Sequence, residues 1–170
     1  MERYLTAIEL SIATENWYSA ISLALTIPDI CGWLDDPNIG SQRRFRRWFD
    51  QNLSVYYQDR SPTPGAPFMT SGDCYALRCA ISHEGGGSII RQSAREVLSR
   101  IVFSTTGSHR IRVGPVLMLN VQEFCREICI AARAWVAGTQ HRTDIQQRLQ
   151  ELISVQTGPF ALVPGVYIGR

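Results

Sequence analysis

Apolar positions early in the chain recur at intervals of three and four, the repeat of a helix that buries one face. Leu5, Ile8 and Ile12 predict a first helix over about residues 2–13. Thr14 is placed to cap a second, on which Trp17, Ile21 and Leu25 share a side. Pro28 either kinks that helix or opens a new turn through "DICGWL". After the loop "DDPNIG", Ser41 is placed to cap "SQRRFRRWFDQNL", where Phe45, Trp48 and Phe49 form an inward face.

The pattern continues beyond the loop "SPTPGAP" (Ser61 to Pro67), with Ser71 as the cap of a helix that runs into "EGGG". A polar helical stretch, "SIIRQSAREVL", is expected next. The period then falls to two. "RIVFST" and "RIRVGPVLML" predict a β-hairpin of about residues 101–106 and 110–119 turning at Gly107, with Arg110 and Arg112 opposite Ile111 and Val113. Asn120 and Glu123 approximate a capping box for a long helix lined by Phe124, Ile128, Ala131 and Trp135. Thr143 opens a last helix with Ile145, Leu149 and Leu152 inward, and the tail "GPFALVPGVYIGR" reads as extended. The expected fold is mainly α: one domain over 1–170, a helical bundle with a small β-hairpin inserted between its later helices.

Composition sharpens this only in part. Hydrophobic residues make up 45% of the 170 and charged residues 19%, which fits a chain with a substantial core. A net charge of +2 is too mild to mark a nucleic-acid binder. Its distribution says more, because all 17 cationic residues are arginine, and each is a fork able to grip a phosphate in two places. The start, "MERYLTAIEL", lacks the apolar centre of a signal peptide, and "WYSAISLALTIPDICGWL" is broken by Pro28 and Asp29 before it could span a bilayer. Five cysteines without a regular framework suggest a reduced, cytoplasmic protein with no membrane partner.

Candidate chemistry concentrates in "DCYALRCAISHEGGG", where Arg78 and His83 are separated by four residues near the end of a helix. Histidine can act as base or acid near neutrality, and arginine supplies a permanent charge with a bidentate grip. On an ideal helix, residues five apart sit about 140° from each other, so the two meet only if the helix end distorts or a second subunit completes the site. The bland alternative is a structural salt bridge from Arg78, to Glu84 or Asp73, with His83 as a capping or core residue. Cys79 and His83, with Cys125 and Cys129, could be imagined as a zinc set, but no cysteine pair has the tight spacing of a zinc knuckle. "EGGGS" lacks the lysine of a phosphate-binding loop, and no serine-hydrolase elbow is present. Arg43, Arg44, Arg46 and Arg47 form a solvated face or track an RNA backbone.

The Arg78-x4-His83 spacing, on a helix with a glycine-rich exit, resembles the HEPN family of helical ribonucleases, whose motif is an arginine, four to six residues and a histidine. The line "YALRCAISHEG" also looks like bacterial HEPN-like proteins, which often carry a polar residue where this chain has Cys79. The motif covers about residues 71–87 and the bundle context about 1–140. The resemblance implies a metal-independent endoribonuclease that needs no cofactor, with Arg78 and His83 catalytic and Ser82 and Glu84 as auxiliary candidates. It also implies a homodimer with a composite cleft, RNA as substrate, and a toxin or defence role with an antitoxin protein as partner. A non-catalytic HEPN-like module that binds a protein or nucleotide is the alternative.

Overall fold

A computed structural model describes residues 1–60 and 65–169; residues 61–64 of the expected "SPTPGAP" loop lie outside the described part. The chain is mainly α. Helices α1 (Glu2–Ala13), α2 (Trp17–Ala24), α3 (Ile27–Asp35), α4 (Ser41–Asn52), the short α5 (Ser54–Tyr57) and α6 (Ser71–Glu84) come first. A small sheet of β1 (Arg100–Ser104), β2 (Ile111–Val113) and β3 (Val116–Asn120) follows. Then come α7 (Val121–Gly138), α8 (Thr143–Glu151) and a terminal pair, β4 (Phe160–Val163) and β5 (Val166–Ile168).

The helices sit where the apolar repeat puts them, and their caps are shifted by one or two residues. Asn16, not Thr14, caps α2, its side chain accepting from the Ser19 N–H. Pro28 occupies the first turn of α3, where its missing N–H costs nothing. Gly40 precedes α4 and Thr70 precedes α6, so Ser41 and Ser71 are first helical residues rather than caps. Asn120 accepts from the Gln122 and Glu123 N–H groups and starts α7 as expected.

One core joins these elements. Leu5 and Ile8 of α1, Phe45, Trp48 and Phe49 of α4, Leu77 and Ala80 of α6, and Phe124 and Ile128 of α7 are all buried in it. The long helix α7 packs against α1, α2, α3 and α4.

Two regions differ from the sequence expectation. Residues 88–98 are not helical. Asp73, fully buried, takes the N–H groups of Glu96, Val97 and Leu98 on its Oδ1 at 2.8, 3.1 and 3.2 Å. That grip holds the end of a turn-rich strap against the start of α6. Gly72 makes the crossing possible, since a Cβ there would lie 2.4 Å from the Ala94 carbonyl oxygen.

The hairpin is the second difference. Residues 101–106 and 110–119 do not pair with each other as two antiparallel arms. Gly114 and Pro115 split the second arm, so the antiparallel hairpin is β2–β3, while β1 lies parallel on the other side of β3. A Gly-Pro step reverses the chain because proline has no N–H to continue the ladder. The faces are also inverted relative to polarity. Arg112 donates inward to the Pro67 carbonyl at 2.6 Å, while Ile111 and Val113 face solvent. Arg110 lies outside the strand with φ at 62°.

Candidate functional site

Helix α6 positions the Arg78–His83 pair, and its ends are well determined. Thr70 and Asp73 form a reciprocal capping box at the start. Gly85 stops the helix in the left-handed conformation at φ 67°, which a glycine adopts without a Cβ clash. Asp73, Cys74, Ala76, Leu77 and Ala80 face the core. Of the rest, Tyr75 packs edge-on against the core residue Phe45, Arg78 and Cys79 are half-buried, and Ser82 and His83 are exposed.

Arg78 is tied to α3. Its Nη2 approaches Asp29 Oδ2 at 3.3 Å, while Arg44 Nε of α4 donates to Asp29 Oδ1 at 2.6 Å. The Ser41 hydroxyl donates to Asp29 Oδ2 at 3.0 Å. The ion pair of Arg78 is thus with Asp29, not with Glu84 or Asp73. Glu84 accepts instead from the Gln92 side chain, and Asp73 holds the strap.

One carboxylate between two guanidinium groups leaves the cluster one positive charge in excess. The Arg78 side chain stays 25% exposed, and its Nε has no hydrogen-bond acceptor among the described residues. Burial, followed by repulsion from the Cys79 sulfur, pushes the Tyr75 phenol above its ordinary value. His83 projects into solvent at the end of α6, and no contact with Arg78 is formed within the chain among the described residues. The helix runs regularly through both, so the 140° separation persists.

The four arginines of α4 divide. Arg44 is held by Asp29, Arg46 by Glu96, and Arg47 by Asp35 and Asp36. Arg43 is exposed and has no partner among the described residues. An open groove of about 890 Å³ runs along this helix, lined by Ser41, Arg43, Arg46, Arg47, Asp50 and Tyr75, so it borders the outer face of α6. Cys125 and Cys129 are buried on α7, and no three His, Cys, Asp or Glu side chains converge as metal ligands among the described residues.

A second polar cluster was not visible in the sequence. Glu127 of α7 is buried, and its carboxylate accepts from the Tyr57 hydroxyl at 2.8 Å, faces His109 Nε2 at 3.3 Å and pairs with Arg110 at 3.3 Å. His109 Nδ1 accepts from the Asn120 N–H at 3.1 Å, so its proton resides on Nε2, toward Glu127. Tyr57 lies well above its ordinary pKa through burial, then the charge of Glu127. Its members come from four separate segments, and no local spacing joins them. Both nitrogens of His109 are engaged inside the protein, which makes this cluster a polar tie between α5, the sheet and α7.

Among the described residues, no helix is long and apolar enough to cross a membrane. Comparison with protein-family models, with curated proteins and with solved structures finds no match to this chain in any of the three.

Proposed function

We propose that the chain is a metal-independent endoribonuclease of HEPN type, acting in the cytoplasm as a homodimer. The observation that carries the reading is the outer face of α6, where Arg78 and His83 flank Cys79 on the side away from the core, beside an arginine-lined groove. The excess positive charge at Asp29, Arg44 and Arg78, with the Arg78 side chain 25% exposed, suits a phosphodiester and the charge that develops on the phosphorane. His83 is accessible to take the 2′-hydroxyl proton or to protonate the leaving oxygen. The separation of the two around the helix calls for the partner's His83 to face Arg78, which is the reason for a dimer. Arg43 is the best-placed further phosphate contact, with Arg46 and Arg47 available only if their carboxylate partners release them. A toxin or phage-defence effector, held in check by an antitoxin protein, is the corresponding biological role.

The test is cleavage of mixed single-stranded RNA without added metal, leaving a 2′,3′-cyclic phosphate, with DNA resistant because it lacks the 2′-hydroxyl. His83→Ala should lower the rate ~10²–10⁴-fold, the usual loss for a general acid or base. No cleavage by the folded wild type overturns the reading.

One observation favours a second reading. Three of the four α4 arginines, and Arg78 itself, are already paired with carboxylates of the same chain. A HEPN-like module that binds a partner protein or nucleotide without cleaving would keep Arg78 as a structural tie. Asp29→Asn separates the two readings: it should sharpen RNA binding if Arg78 is functional, and only destabilise the α3–α6 contact if it is structural.

A further inference from the structure

The Glu127 cluster opens onto a cavity that belongs neither to α6 nor to the groove along α4. Its volume is about 710 Å³, and Tyr56, Asp59, Arg60, Phe68, His109 and Arg110 are among its walls. Two guanidinium groups are anchored there on consecutive carbonyls of α5. Arg60 Nη2 donates to the Val55 oxygen at 2.9 Å, and Arg110 Nη1 donates to the Tyr56 oxygen. Like charges on one wall repel, and Arg110 has a carboxylate beside it, Glu127 at 3.3 Å. Arg60 is exposed and has no ion pair among the described residues. The backbone of Arg110 is left-handed at φ 62°, and strain of this kind gathers at ligand clamps. A further wall is fixed through the main chain: the Phe68 N–H donates to the Tyr57 oxygen at 2.7 Å, and Arg112 donates to the Pro67 oxygen at 2.6 Å.

The carboxylates nearby are already engaged. Asp59 Oδ2 accepts from the Gly65 N–H at 2.8 Å, and Glu127 is shared among Tyr57, His109 and Arg110. The group left without a counter-ion is the Arg60 guanidinium. We propose that the cavity binds a small ring-bearing oxyanion, its carboxylate or phosphate head on Arg60 and Arg110 and its ring against Tyr56 and Phe68. Guanidinium groups meet such heads with paired N–H donors, which a point charge does not supply. Tyr56 and Phe68 pack against the core while lining the cavity, so each is held in place as an aromatic wall. The volume falls within the ~300–1,000 Å³ of small-molecule sites and admits two fused rings. Buried Glu127 acts as a positioning residue, steadying Arg110 from behind. The inference does not rest on the ribonuclease reading, since none of these residues has a part in it.

The experiment is calorimetric titration of the full chain with 1-naphthyl phosphate and with 1-naphthoate. At least one should bind with a Kd of ~0.5 mM or tighter, the affinity expected of a ligand of this size. Whichever binds more tightly identifies the head group. Two controls divide the contributions: 1-naphthol lacks the charge and inorganic phosphate lacks the ring, and each should bind at least about tenfold more weakly. Arg60→Gln should melt like wild type, because the residue is exposed and outside any ion pair, yet weaken the naphthyl anion about tenfold or more. In a ¹H–¹⁵N spectrum the ligand should move the amide signals of Phe68 and His109. Absence of binding by both anions, 1-naphthol or inorganic phosphate binding as tightly as the anion, or undiminished binding by Arg60→Gln each overturns the site.

Discussion

Asp73→Ala should be among the most damaging single changes in the molecule, although the residue touches no proposed reacting group. Its carboxylate is fully buried and does two jobs. Oδ2 reaches back to the Thr70 N–H and hydroxyl at 3.3 and 3.0 Å, and Oδ1 holds the Glu96, Val97 and Leu98 N–H groups. Thr70 keeps its bond to the Asp73 N–H, and loss of the returning half of the capping box costs ~1 kcal/mol. A buried N–H left without an acceptor costs ~1–3 kcal/mol, and Leu98 is itself fully buried. Glu96 and Val97 lie nearer the surface, and water can partly replace their acceptor. The sum is about 4 kcal/mol, a large part of the ~5–15 kcal/mol that holds a typical domain together. With a urea slope of ~2 kcal/mol per molar, the unfolding midpoint should fall by roughly 2 M. Asp73→Asn keeps one oxygen for the strap but turns an NH₂ toward the Thr70 N–H, so about half that loss is expected. An Asp73→Ala midpoint within about 0.5 M of wild type would refute the claim that one carboxylate secures both the helix start and the strap.

Burial of the thiols sets an alkaline limit. Cys125 and Cys129 are pushed up to about 12 and about 11 by burial, while in the unfolded chain they titrate near the ordinary value of 9.0. Above that value the unfolded state sheds protons that the folded state keeps, so stability present below pH 9 is lost as pH rises. Urea midpoints in reductant should fall steadily from pH 8.5 to 10.5, and a flat profile contradicts the burial. Arg110 holds a left-handed backbone at φ 62°, a strain of ~1 kcal/mol or more that glycine escapes. Arg110→Gly should therefore melt higher than Arg110→Ala, since both lose the Glu127 pair and differ only in strain. Native protein should react quickly with a thiol reagent at Cys79 alone, the other four cysteines being buried, and peptide mapping checks the site.

The helical part of the fold was legible because its signals are local. Leu5 and Ile8, or Phe45, Trp48 and Phe49, declare a buried face within two turns, and all five are buried. The caps moved because Ser, Thr and Asn crowd each helix start, and the choice among them depends on backbone angles that no spacing reports. Residues 88–98 failed for a different reason. The stretch reads as a polar helix, but the N–H groups of its last residues bond to the Asp73 carboxylate, more than twenty positions away in the chain. The sheet failed in the same manner: a hairpin is the shortest closure for two strands, yet Gly114–Pro115 offered a shorter one, leaving β1 to pair in parallel.

For the candidate site, the sequence located the helix and the outward face but not the electrostatics. Arg78 could be placed near Asp73 or Glu84 by spacing, and neither is its partner, because both carboxylates are taken by the strap and by Gln92. Asp29 sits on α3, and only the close packing of α3 on α4 and of α4 on α6 delivers it to Arg78. That packing gives Asp29 a role in either functional reading. With Arg44 at 2.6 Å and Arg78 at 3.3 Å, the carboxylate favours Arg44 and holds Arg78 by its weaker contact. A phosphate arriving at the outer face of α6 would compete with Asp29 for Arg78 alone, while Arg44 kept the carboxylate in place. The position of Arg78 thus follows from the packing of three helices on Asp29 rather than from the Arg-x4-His spacing.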